Sequence, residues 1–428
     1  MDWIGTPLRY PTKKVNTIVS VQATIEINGD ISLSSLSRKL DHTNINKQIL
    51  EAALNKHQEE LTDRLCGERY SRVENRPFKR AGTTRRTLVT RHGNLTLRVT
   101  KVRSAETGGI FTPLLLDLGV EPRRRIVDDL VLESTETATL LTYRDTVKVI
   151  ESLTEAQTSR HRVHRYVQKV GSYVGEGRRK AVPAKVDVMY GDGTKTHGLG
   201  GGKNEVNVVL GRDGDTGCKH LLSLEVNKAW PMVAEGLTTK ASLLVSDADR
   251  PMRNALRCKA DSYQLCVNHA VKEAGNHLWR AGLPKAERRL ILGRLRLILR
   301  ILRSSVKKHL VDKDYGRLRW RISWTLDELA AQGLVYTAGF IRRSANYVVT
   351  YARLALRDLR VPYTNNLIER LMGEVAKRVK NRWMHWSTAG LENLLNILLV
   401  RYCDGNLYSS LMGNFYKDEE PVIIVRVA

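Results

Sequence analysis

Residues 185–249 read KVDVMYGDGTKTHGLGGGKNEVNVVLGRDGDTGCKHLLSLEVNKAWPMVAEGLTTKASLLVSDAD. β-branched and apolar residues cluster in three successive runs, about Lys185–His197, Glu205–Gly211 and Lys219–Asn227, which predict three strands. The glycines of GLGGGKN, 198–204, suit a hairpin turn between the first two; Lys203 is followed by Asn and the glycine spacing is wrong for a phosphate-binding loop. The pattern then alternates: a helix over Ala229–Thr239, an apolar strand over Ser242–Ser246 that ends in Asp247, a helix over Pro251–Ala260 and a strand over Tyr263–Val267. The order βββαβαβ predicts a mixed five-stranded sheet with helices on its faces.

Outward from this core, about a hundred residues beyond His269 read as helix throughout, and a further helix starts at Asn365. Upstream, VSVQATIEI at 19–27 alternates into an Asn28-Gly29 turn, and Asn44–Leu65 reads as a helix closed by Gly67. RTLVTRHGNLTLRV within 85–102 predicts a hairpin around His92-Gly93-Asn94 that carries Arg85, Arg86, Arg91, Arg98 and Arg103. Arg124–Leu141 reads as a helix. Two short helices, Tyr143–Leu153 and Thr158–Val170, have helix-turn-helix spacing; the second carries Arg160, Arg162, Arg165 and Lys169, able to reach phosphates or base edges. An ordinary helical hairpin with a solvated basic face fits the same residues. Gly171–Pro183 reads as a break before the sheet. The organisation expected is therefore 1–70, a strand and helix module; 71–180, a basic hairpin and helical region; 181–270, the first part of the sheet domain; 271–360, a helical insertion; and 361–428, the helix from Asn365 and the C-terminal helices.

The 428 residues carry 70 Lys and Arg against 45 Asp and Glu, a net charge of +25. Such an excess implies a polyanion partner, since nucleic acid repays it through counterion release. It is distributed: ten basic residues against Glu74 lie between Arg72 and Arg103, and nine against Glu287 between Lys285 and Lys308. Charges interrupt every apolar stretch, so no membrane span is expected. The N-terminus lacks an apolar signal segment and the five cysteines are scattered, which points to a reducing cytoplasm.

Metal-assisted phosphoryl chemistry needs converging carboxylates, because two divalent ions about 3.5–4 Å apart take hard oxygen ligands. Asp192 in YGDGTKTHG lies between Gly191 and Gly193, which would admit a backbone or phosphate; Asp247 ends the strand LLVSD at a sheet edge. Asp249 suits a helix cap. Glu369, in the first turn of the helix after Thr364 and Asn365, lies off the apolar stripe Ile368, Leu371, Val375 and Val379. Gly373, Ala376 and Lys380 fall within roughly 40° of it at 100° per residue. A first-turn Glu favoured by the helix dipole is the simpler account of that residue alone.

DGT at 192–194, SDAD at 246–249, the C-x-x-H of QLCVNH at 264–269 and TNNLIER at 364–370 together resemble the DDE transposases of prokaryotic insertion sequences and their Mutator-like relatives. The 122-residue interval from Asp247 to Glu369 has room for the helical insertion of that group, and ENRPFKRAGTTRRTLVTRHGNLTLRVTKVRS is similar to its arginine-rich hairpin. The resemblance, over about 68–405, implies an RNase H-like catalytic domain of α+β or α/β class, with Asp192, Asp247 and Glu369 holding two Mg2+ or Mn2+ ions and Cys266 and His269 as an accessory pair. Asp187 in KVDVMY competes with Asp192 for the first carboxylate. Terminal inverted repeats bound by the hairpin, the basic helices and Lys380, strand cleavage and transfer, no nucleotide cofactor, a homo-oligomer joining two DNA ends and association with the nucleoid follow as expectations. The same modules would also suit an inactive or domesticated DNA-binding protein, or an RNase H-like structure-specific nuclease. Two ligands do not make a tetrahedral zinc site. Trp383 and Trp386 suit either base stacking or helix packing.

Overall fold

The computed structural model describes residues 45–67, 76–154, 156–359, 361–380 and 384–416. The strand expected at 19–27 and Trp383 lie outside them. The chain divides into two compact units: 1–138 with 142–163, and 139–141 with 164–428.

In the first unit, α1 (Ile45–Cys66) precedes the antiparallel hairpin of β1 (Phe78–Thr90) and β2 (Gly93–Ser104), to which β3 (Ile110–Phe111) adds two residues. β2 alternates buried and exposed positions along most of its length, so Leu95, Leu97 and Val99 join Leu88 and Leu114 in a core closed by Leu50, Leu54 and Leu61 of α1. β3 is too short to cover the free edge of β2, and α1 does so with side chains. Gln58 accepts from Thr100 N and donates to Arg98 O, both at 3.0 Å. The backbone of a would-be edge strand is thus satisfied without another strand. After α2 (Pro113–Asp117) come α3 (Asp128–Leu140) and α4 (Tyr143–Thr154). The helix expected from Arg124 begins four residues later, because 125–127 are drawn into pairing with the end of β1: Val89 N donates to Arg125 O at 2.7 Å and Val127 N to Val89 O at 3.0 Å.

The division between the units falls within α5 (Arg160–Lys180), which runs ten residues beyond the expected stop at Val170. Its glycines do not break it; they admit a neighbour. A Cβ on Gly171 would stand 2.3 Å from Asn393 O, and one on Gly175 2.6 Å from Asn396 Nδ2, both on α14 (Thr388–Cys403). Between these helices lie β4 (Lys185–His197), β5 (Lys203–Arg212), β6 (Lys219–Val226), α6 (Trp230–Gly236), β7 (Lys240–Ser246), α7 (Arg250–Leu256) and β8 (Ala260–Leu265). The expected mixed sheet forms in the order β6-β5-β4-β7-β8, antiparallel across the first three strands and parallel from β4 to β7 to β8. Gly200 and Gly201, at φ +67° and +80°, make the β4–β5 turn.

Helices α8 (Val267–Arg280), α9 (Lys285–Lys307), α10 (Val311–Ala331), α11 (Val335–Val348) and α12 (Thr350–Ala355) build their own core around Leu302, Leu318, Leu326 and Ala352. α13 (Asn366–Val379) then returns the chain to β4, where Thr196 Oγ1 donates to Val379 O at 2.7 Å; α14 and α15 (Gly405–Tyr416) complete the unit.

Candidate active site

The site is built by strand register. β4 and β7 run parallel with Tyr190 beside Val245, so two residues further on Asp192, within β4, and Asp247, just past the end of β7, occupy matching places where the pairing of these two strands ends. β8 lies on the other side of β7, Ser246 beside Leu265, and Cys266 N donates to Ser246 O at 2.8 Å. That places Cys266 at the same edge and starts α8, one turn of which brings His269 back over the strand ends. Glu369 comes from the first turn of α13, whose buried Ile368, Leu371, Val375 and Val379 seat the helix as the apolar stripe predicts. His269 Nδ1 and Glu369 Oε1 are 3.4 Å apart.

Electrostatics record the convergence. Burial, then the Asp247 charge, push Asp192 up to about 6, with Glu369 adding to the shift and the Gly193 amide and His269 opposing it. Asp249 is likewise raised, first by burial and then by Asp247. Hydrogen bonding to Cys266, against the cost of burial, and the charges of Cys266, Asp247 and Glu369 raise the His269 imidazole above its ordinary value. The cause is general: charges withdrawn from water toward one another favour whichever protonation state reduces repulsion. Backbone donors hold the two aspartates: Gly193 N donates to Asp192 Oδ1 at 2.8 Å and Asp249 N to Asp247 Oδ1 at 3.0 Å. Behind them, Ser246 Oγ and the Tyr263 hydroxyl both donate to Asp247 O, at 3.0 and 3.2 Å. Tyr263 was legible only as strand core; an apolar run gives no sign that its hydroxyl pins the next strand's end.

Ligand-capable atoms of Cys266, His269 and Glu369 all lie within 4.8 Å of one another, the one such triple among the described residues. Sequence spacing offers Cys266 and His269 as a bare pair; the third donor reaches them from 100 residues away. Neither Asp192 nor Asp247 belongs to that triple.

Other expected residues are distributed as follows. Asp187 lies five residues before Asp192 on β4 and accepts from Gly214 N at the β5–β6 turn, toward the opposite end of the sheet. Gly191 and Gly193 do not leave room for a phosphate: their missing side chains are replaced by Met252 and Leu256 of α7, and by Asn207 Oδ1, which a Cβ would meet at 2.5 Å. Gly373 does face open space, but Lys380 follows the last residue of α13 and leaves the helical face. Trp386 is buried and donates from Nε1 to Val379 O at 3.2 Å, a packing role. Arg85, Arg91, Arg98 and Arg103 are exposed on the hairpin, as are Arg160, Arg162 and Arg165 on α5. Arg86 is half-buried and donates to Arg124 O at 2.6 Å, a structural position.

Acidic side chains gathered at one end of the sheet in a strongly basic protein suit chemistry on nucleic acid. Residues 24–405 match the family described as Transposase, Mutator family, and the chain belongs to it. No curated protein matches the chain. Among the described residues no helix is long and apolar enough to cross a membrane.

Proposed function

We propose that the chain is an insertion-sequence transposase that binds the element's terminal repeats and cuts and joins DNA at this sheet edge, with Asp192, Asp247 and Glu369 as ligands for two Mg2+ or Mn2+ ions. The observation that carries the reading is the parallel pairing of β4 with β7, which aligns two aspartates 55 residues apart in sequence at one edge. Three antiparallel strands followed by two parallel ones, then a helical insertion and a returning acidic helix, support an RNase H-like catalytic domain.

The donor set fits the ions. Carboxylate oxygens are the ligands hard divalent cations take, and the Asp192 carboxyl, raised to about 6 first by burial and then by the Asp247 charge, stands where a bound cation would offset both costs. When bound, such a pair activates the attacking oxygen and stabilises charge on the leaving one. The chain's own residues do the positioning. The Gly193 and Asp249 amides orient the aspartates, Ser246 and Tyr263 fix the end of β7, and His269 steadies Glu369. Two DNA ends must be held together for joining, so the working form is a homo-oligomer. The protein works on the nucleoid.

Asp247→Asn tests the reading. With labelled DNA from either side of the coding region, the variant binds as the wild type does but loses Mg2+-dependent nicking and strand transfer. Equal nicking by the variant overturns the assignment.

A further inference from the structure

A groove of about 620 Å³ opens between α8 and α9. Its wall starts at Val267 and Asn268, the two residues between Cys266 and His269, and Val267 N donates to Tyr363 O at 3.1 Å. The groove therefore begins beside the candidate active site and is tied to the segment leading into the Glu369 helix. Lys272 of α8 and Arg288, Arg296, Arg300 and Arg303 of α9 line it, and no Asp or Glu does. The one acid of α8, Glu273, accepts from Asn276 of the groove wall and pairs with His277 and Arg280. From Arg288 to Arg303 the helix rises about 22 Å, with Leu292 filling the one turn between Arg288 and Arg296 that lacks a cation.

The groove also holds unspent polar and aromatic capacity. Tyr351 is 2% exposed, and among the described residues its hydroxyl has no hydrogen-bond partner; Arg288 Nε is buried and equally unpartnered there. The Arg303 guanidinium lies 4.7 Å over the Tyr363 ring, and Trp279, 64% exposed, stands free at the wall. A cationic track with aromatic faces is the recognition chemistry of a single nucleic-acid strand. The volume is that of a small-ligand site, within about 300–1,000 Å³, which suits a short stretch of single strand rather than the body of a double helix.

We propose that this groove is the channel for an unpaired DNA strand beside the cut, its phosphates on the α9 arginines and a base on Trp279. The identity of the strand rests on the transposase reading; binding itself does not. The test therefore uses the full chain in EDTA, with a labelled eight-nucleotide oligo-dT followed by fluorescence anisotropy between 50 and 200 mM salt. Arg296→Ala with Arg300→Ala weakens binding at least tenfold and reduces the slope of log affinity against log salt by about 1.4, at about 0.7 per phosphate contact. Trp279→Ala weakens binding about fivefold or more with the slope unchanged, because stacking releases no counterions. Both variants keep the wild-type melting temperature, since the replaced side chains are exposed. Unchanged affinity in both variants, or displacement of the strand from the wild type by inorganic phosphate at matched ionic strength, overturns the proposal. So does equal competition by a duplex of the same length. Retained nicking by Asp247→Asn would instead sink the catalytic reading and leave this metal-free binding result standing.

Discussion

Two half-buried carboxylates raised above the ordinary range mean different things at their two places. Asp192 is raised by burial and by the neighbouring Asp247 and Glu369 charges, a conflict within a cluster. Asp129, at the start of α3, is raised by burial alone, against backbone donors that pull it down. It accepts from Arg91 N at 3.1 Å and so ties the hairpin turn to the helix. The linkage sign follows from the direction. The native state holds the Asp129 proton to higher pH than the unfolded chain, whose carboxylate titrates near about 3.9. The favourable contribution is complete below that value and is lost as pH rises through the raised native pKa. Asp129→Asn keeps an acceptor for Arg91 N and has no proton to lose. The melting temperature of the wild type should accordingly fall relative to Asp129→Asn as pH rises from 4 to 8; parallel curves would show that the charge is not desolvated.

At the scale of the element, α5 shows why a glycine-rich stretch can be helix. Glycine costs an isolated helix roughly 1 kcal/mol per residue relative to alanine, which is why 171–183 reads as a break. Close packing against α14 reverses that preference. Gly171→Ala would set a Cβ against the Asn393 carbonyl, a backbone atom with little room to yield, and should destabilise the protein by about 1–3 kcal/mol, measured by denaturant unfolding. If the variant gains the stability propensity alone assigns, the close approach is absent. The strands β4 to β8 were legible because their apolar runs are bounded by turn residues, and Asp247 because it ends such a run. The order of those strands was not, since nothing local says that β4 lies between β5 and β7. The meeting of His269 with Glu369 was hidden for the same reason: it exists only once α8 to α12 have folded back on themselves. Residues 125–127 are kept out of the helix expected from Arg124 by their pairing with Val89.

Across the molecule, a net +25 is a standing cost of self-repulsion, and on the hairpin like charges sit face to face. Arg85 and Arg98 are direct cross-strand partners on the basic hairpin, both exposed, an arrangement that destabilises a ribbon left to itself. Arg98 Nε donates to Thr83 Oγ1 at 3.0 Å, which aims the guanidinium without neutralising it. Such a pair is tolerable when a phosphate lies between them. Replacing both with alanine should reduce the salt slope of duplex binding by about 1.8, at about 0.9 per phosphate contact, while leaving the melting temperature equal to or above that of the wild type. A structural role predicts the reverse, a lower melting temperature with the slope intact. Anisotropy on a labelled duplex between 50 and 200 mM salt, with thermal melting of the same preparations, separates the two. Because the hairpin and the α9 groove belong to different units, the duplex slope should respond to the hairpin variant and the oligo-dT slope to the groove variant, each leaving the other unchanged.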